Sequence, residues 1–199
     1  MQIDQYLNYL EIHATNLFLE NVERQYPYHN LAHTRKVVAR AREISEHYSL
    51  TDAQNLILYT AAWFHDIGHL FTTIDGHEIE SVIRMYDFIK GLPISSDDAK
   101  QIENCILSTR VNQKPVTFLE EILCDADLYH LGTPEFAQTD NQVKEELEMR
   151  LGITMDNWKQ KSLAFLLQHE FYTSYCREQL GKGKLHNIQS LKNLLQEGK

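Results

Sequence analysis

The chain is predicted to be all-α, a single compact helical bundle, on three observations. Apolar residues recur at helical spacing nearly throughout. Capping residues and glycines punctuate those segments where helices should begin and end. No stretch shows the strict alternation of a half-buried strand. A length of 199 residues fits one domain with a sizeable core. Within it, residues 1–25 read as an N-terminal helix and 177–199 as a basic C-terminal helical segment. Roughly eight to ten helices of ordinary length would use up the chain.

The elements follow in order. After Leu31, the residues Val37, Val38, Ala41 and Ile44 share one helix face. Thr51-Asp52-Ala53-Gln54 has the form of a capping box. It opens a helix carrying Leu56, Ile57, Tyr59, Ala61, Ala62 and Phe64. This segment is apolar nearly all round, so it belongs at the centre of the bundle. Gly68 is expected to end it and Gly76 to start the next. That next helix would bury Ile79, Val82, Ile83 and Tyr86 and close at Gly91-Leu92-Pro93. Ser95-Ser96-Asp97-Asp98 precedes a helix through Ile102 and Ile106. Pro115 should start another, running through Phe118, Ile122 and Leu123 to Leu131, with Gly132-Thr133-Pro134 after it. Residues 120–148 hold nine acids and one lysine, which suggests a solvated face.

Composition narrows the function classes. The net charge of −9 argues against a general nucleic-acid binder, which needs a basic face. It does not exclude a small phosphorylated ligand, because a metal ion reverses the local sign of charge. The longest apolar run, around Leu56 to Phe64, is too short to span a bilayer. The N-terminus MQIDQYLNYLE carries acids where a signal peptide has a basic end. A soluble cytoplasmic protein with no membrane partner is expected. Cys105, Cys124 and Cys176 share no CxxC spacing and read as reduced core thiols. Phosphate loops of the GxxxxGKS or GxGxxG kind and a GxSxG elbow are all absent from the sequence.

The histidines carry the chemical signal. Six of the ten lie between His29 and His77. His65-Asp66 ends the most apolar helix, and a buried carboxylate needs a cation or a hydrogen-bond network. Upstream, His29 and His33 stand four residues apart, one helical turn. Downstream, Asp125-Ala126-Asp127 interrupts an apolar helix. These two aspartates lie on different faces, so one should point inward and the other should be exposed or capping. His33, His65, Asp66 and Asp127 would together supply two nitrogens and two oxygens to a divalent ion such as Mn, Fe, Ni, Co, Zn or Mg.

These residues resemble the signature of the HD-domain metal-dependent phosphohydrolases. That signature is a separated His, then His-Asp, then a later Asp. The chain is similar in particular to an uncharacterised bacterial group of predicted HD phosphohydrolases. Tyr28-His29-Asn30-x-x-His33, Ala62-Trp63-Phe64-His65-Asp66, Glu78-x-x-Ser81 and Asp125-Ala126-Asp127-Leu128-x-x-Leu131-Gly132 carry this likeness. So do His169-x-Phe171-x-Thr173 and Lys184-x-x-Asn187. Tyr-His-Asn-x-x-His is also similar to the start of the cyclic-nucleotide phosphodiesterase site. The resemblance implies an HD bundle, one or two divalent ions, and metal-activated water attacking a phosphate ester of a small substrate, a nucleotide by preference.

Carried over residue by residue, the resemblance makes His33, His65, Asp66 and Asp127 the metal ligands. His29 becomes the proton donor to the leaving oxygen, with His69 and Glu78 as further catalytic candidates. His77, Arg110 and Lys184 are candidates for a second metal or for substrate. No histidine occurs between Glu78 and Tyr129. The two-metal HD members usually have one there, and its absence favours a single metal or a second one held mainly by water. The alternatives are a di-iron HD oxygenase and a non-catalytic nucleotide- or effector-binding module. A homo-oligomer is compatible with the sequence.

Overall fold

The computed structural model describes residues 2–111 and 113–197. Lys199, part of the basic C-terminal segment above, lies outside them. The described residues form nine α-helices and three short 3-10 turns, with no strand. The chain divides into two compact units, Met1–Asp127 and Leu128–Lys199.

The first unit contains α1 (Ile3–Glu20), α2 (Leu31–His47), α3 (Asp52–Phe64), α4 (His77–Ile89), α5 (Ser96–Ser108) and α6 (Phe118–Asp127). Helix α3 is the hub, lying against α1, α2, α4, α5 and α6. Its apolar circumference is the reason: Ile57, Leu58, Ala61, Ala62 and Phe64 are all buried. The capping box is formed, with the Thr51 hydroxyl accepting from Gln54 N–H and the Gln54 carboxamide oxygen accepting from Thr51 N–H. Ser95 caps α5 by accepting from Asp98 N–H at 3.0 Å. Gly76 (φ 90°) and Gly91 (φ 81°) flank α4 in the left-handed region, where a side chain would be strained.

Four sequence expectations are corrected here. Helix α4 buries Val82, Met85, Phe88 and Ile89, while Ile79, Ile83 and Tyr86 are exposed. Both sets have helical spacing; packing on α3, α5 and the turn before α4 selects the other one. Gly68 does not cap α3, which ends at Phe64; it sits in a 3-10 turn, Ile67–Leu70. Helix α6 starts three residues after Pro115 and stops at Asp127. Glu120 takes over its start by accepting from Val116 N–H and from the Thr117 hydroxyl. The acidic stretch 120–148 is solvated only in part. Glu120, Asp125 and Glu146 are buried, and Arg150 pairs with Glu146 at 3.0 Å.

The second unit holds a 3-10 turn (Tyr129–Gly132), α7 (Phe136–Leu151), α8 (Trp158–Gln168) and α9 (Ser174–Glu197). Glycines let α9 meet the turn at backbone distance. A Cβ on Gly183 would lie 1.9 Å from the Gly132 carbonyl oxygen. Asn187 donates to the carbonyls of Leu131 and Thr133 at 2.9 and 3.0 Å. The Thr173 hydroxyl accepts from Cys176 N–H at the start of α9. The C-terminal motif residues Thr173 and Asn187 therefore hold this unit together. No helix among the described residues is long and apolar enough to cross a membrane.

Candidate metal centre

Local chemistry fixes each part of the site in the first unit. Asn30 caps α2, its side-chain oxygen accepting from the N–H groups of Ala32 and His33. Its amide donates back to the carbonyls of Tyr26 and Pro27. That clamp holds His29 just before the helix and His33 in its first turn. The Tyr28 ring packs on both, with centroids 4.7 and 4.4 Å away.

At the end of α3, His65 closes the helix and Asp66 begins the 3-10 turn at φ −114°, ψ 0°. The Ser81 hydroxyl of α4 donates to the His65 carbonyl and accepts from Gly68 N–H, both at 2.8 Å. Gly68 leaves room for this approach, since a Cβ there would lie 1.9 Å from the His77 carbonyl oxygen. The start of α4 is thereby pressed against the turn that carries His65 and Asp66.

Four side chains converge. His33 Nε2 lies 3.2 Å from Asp66 Oδ2 and 3.2 Å from Asp127 Oδ1. His65 Nε2 lies 3.1 Å from Asp66 Oδ2 and 3.8 Å from Asp127 Oδ1. The two Nε2 atoms are 3.3 Å apart. His65 Nδ1 donates to the Ala62 carbonyl at 2.8 Å, which leaves Nε2 as its lone-pair nitrogen. Two imidazole lone pairs and two carboxylate oxygens directed at one point suit a divalent cation, and the N/O donor set matches first-row transition metals. His33, His65 and Asp127 form one group able to hold an ion.

A second group adjoins it. His29, Asp66 and His69 also bring ligand atoms within 4.8 Å of one another. Asp66 serves both sides, with Oδ2 toward His33 and His65 and Oδ1 3.8 Å from His77 Nε2. The His69 and His77 rings stack at 3.7 Å, and His29 lies 4.1 Å from His69. Glu78 lies 3.4 Å from His77 and 3.8 Å from Arg110.

With only the protein's own charges, the cluster polarises itself. Burial alone would push His33 down, but hydrogen bonds to Asp127 and Asp66 outweigh it and raise the pKa to about 9. His65 is buried too and is still raised, chiefly by the Asp66 charge. Burial would raise Asp66, yet the histidines His65 and His29 hold it well below the usual carboxylate range. Asp127 is lowered against its burial in the same way by His33 and His65.

Of the sequence candidates, His29, His33, His65, Asp66, His69, His77, Glu78, Arg110 and Asp127 are linked by these contacts. Lys184 is on α9 in the second unit, where its ammonium donates to the His169 carbonyl. Asp127 is in the cluster; of the two expectations for Asp125, exposed or capping, exposure is excluded, because it is fully buried. Inward-pointing acids can occur on two faces when a helix is enclosed on both. Sequence reasoning missed the roles of Asn30 and Ser81 in positioning the ligands. The N-cap spacing of Asn30 ahead of Leu31 was the available signal for the first.

The HD domain family model matches residues 30–132, just over half of the chain. The chain belongs to the HD domain family. No curated protein and no solved structure matched it.

Proposed function

We propose that this HD protein is a metal-dependent phosphohydrolase acting on a phosphate ester of a small substrate, of the nucleotide class. The observation that carries the reading is the convergence of His33, His65, Asp66 and Asp127 at 3.1–3.8 Å, with a more open histidine beside them. A divalent ion held by those four would supply Lewis acidity toward a phosphoryl oxygen and lower the pKa of a bound water. His29 suits the proton donor. Its side chain is 24% exposed, against 7% for His33 and 0% for His65, so a substrate oxygen can reach it. Its Nε2 lies 3.9 Å from Asp66 Oδ2, at the edge of the ligand cluster. His69 stacks on His77 and, with Tyr28, holds the His29 ring in place. Glu78 orients His77. The joint reach of Asp66 toward two groups also supports room for a second ion.

The test is a screen of nucleotides, phosphomonoesters, phosphodiesters and pyrophosphates with the manganese-, cobalt-, nickel- or magnesium-loaded protein. Hydrolysis that falls at least a hundredfold in His29→Ala with metal content retained supports the scheme. No turnover on any arm, with oxygen consumption by an iron-loaded sample, would replace it with the oxygenase alternative.

A further inference from the structure

Beside the ligand cluster runs a row of contacts that the metal does not need. Asp66 Oδ1 is 3.8 Å from His77 Nε2, His77 Nε2 is 3.4 Å from Glu78 Oε1, and Glu78 Oε2 is 3.8 Å from Arg110 Nε. Arg110 follows α5, next to its last turn. It is a permanently charged group at the open end of a row that begins on a metal-site carboxylate.

The contact to Glu78 is made through Nε at the outer limit of an ion pair. The two terminal amino groups, the fork that pairs side by side with carboxylate or phosphate oxygens, make no hydrogen bond to the described residues. The side chain is 38% exposed, so ligand reaches it without unfolding anything. A substrate with one phosphoryl group and nothing else anionic would leave Arg110 unused.

We infer that Arg110 is a specificity-determining residue that binds a second anionic group of the substrate, a phosphate or a carboxylate, while the first phosphoryl group sits at the metal cluster. Glu78 is a positioning residue that anchors the Nε edge and leaves the fork to the ligand. This rests on the reading of the cluster as a phosphoryl site, and it narrows the substrate class to compounds such as nucleoside polyphosphates or phosphorylated organic acids.

The experiment is calorimetric titration of the manganese-loaded full chain with three non-hydrolysable probes: methylphosphonate, phosphonoacetate and methylenediphosphonate. The wild type should bind one or both of the latter two about tenfold tighter than methylphosphonate, as one charge-assisted pair would give. Whichever is preferred tells carboxylate from phosphate. Arg110→Gln should remove the preference while leaving methylphosphonate affinity and manganese content unchanged, and Arg110→Lys should keep part of it. Methylphosphonate binding without any preference in the wild type, or a preference retained by Arg110→Gln, overturns the role of Arg110 and leaves the phosphoryl site standing. Failure of all three probes to bind overturns both.

Discussion

His65 and His169 occupy similar-looking places with opposite outcomes. Each ends a helix, α3 or α8, and the backbone carbonyl of each accepts from a polar side chain of its own unit, Ser81 for His65 and Lys184 for His169. Around His65 stand Asp66 and Asp127, and its pKa is raised despite complete burial. Both ring nitrogens of His169 are buried without a hydrogen-bond partner among the described residues. Burial and the nearby positive charges of Lys184 and His130 push His169 down to about 4. The same side chain is thus a ligand-type group in one region and a neutral packing group in the other. The neighbours decide, and carboxylates are what distinguish the two.

The architecture beneath the two histidines is shared, so its disruption should give the largest effect in both regions. Gly68→Ala and Gly183→Ala each place a Cβ about 1.9 Å from a carbonyl oxygen. Each should cost about 3 kcal/mol or more in urea unfolding, since backbone must move. Loss of metal binding is expected with Gly68→Ala and not with a folded Gly183→Ala. Equal metal loss in both would erase the functional difference between the regions.

Next come the polar ties. Ser81→Ala orphans the buried Gly68 N–H and the His65 carbonyl, and Asn187→Ala orphans the carbonyls of Leu131 and Thr133. Each should cost about 1–3 kcal/mol. Metal affinity should weaken for Ser81→Ala alone, as measured by titration with a chromophoric chelator.

The smallest effects are in pH dependence, and they have opposite signs. The raised pKa of His33 stabilises the metal-free protein below pH 6.5, and this contribution is lost as pH rises toward 9. The depressed pKa of His169 contributes stability above pH 6.5 that is lost as pH falls toward 4. Urea unfolding of the metal-free chain should show His33→Gln flattening the alkaline limb and His169→Leu flattening the acid limb. His169→Leu should change stability at pH 7 by less than about 1 kcal/mol, because no hydrogen bond to either ring nitrogen is lost. Identical pH profiles for the two variants would break the comparison.

Much of the fold was legible in the sequence because it is written in local chemistry. The Thr51–Gln54 box, the Ser95 cap and the apolar circumference of α3 each need only near neighbours. The ligand set was legible because His65-Asp66 is adjacent and its partners recur in order. What was not legible depends on distant packing. Two sets of residues on α4 have helical spacing, and only the surfaces of α3 and α5 choose Met85 over Ile83. Gly68 reads as a helix end and Gly183 carries no local signal, whereas their roles come from carbonyls that arrive from other segments. Acids such as Glu146 read as solvated until a partner, Arg150, takes up the charge.

The central claim is that His33, His65, Asp66 and Asp127 form one metal centre. Metal analysis of purified wild type, His65→Ala and Asp66→Ala, each refolded or dialysed against the same divalent ion, tests it most directly. The expected result is at least one equivalent of bound ion in the wild type, little or none in either variant, and unchanged helix content by circular dichroism. Stoichiometric metal retained in folded Asp66→Ala would contradict the assignment.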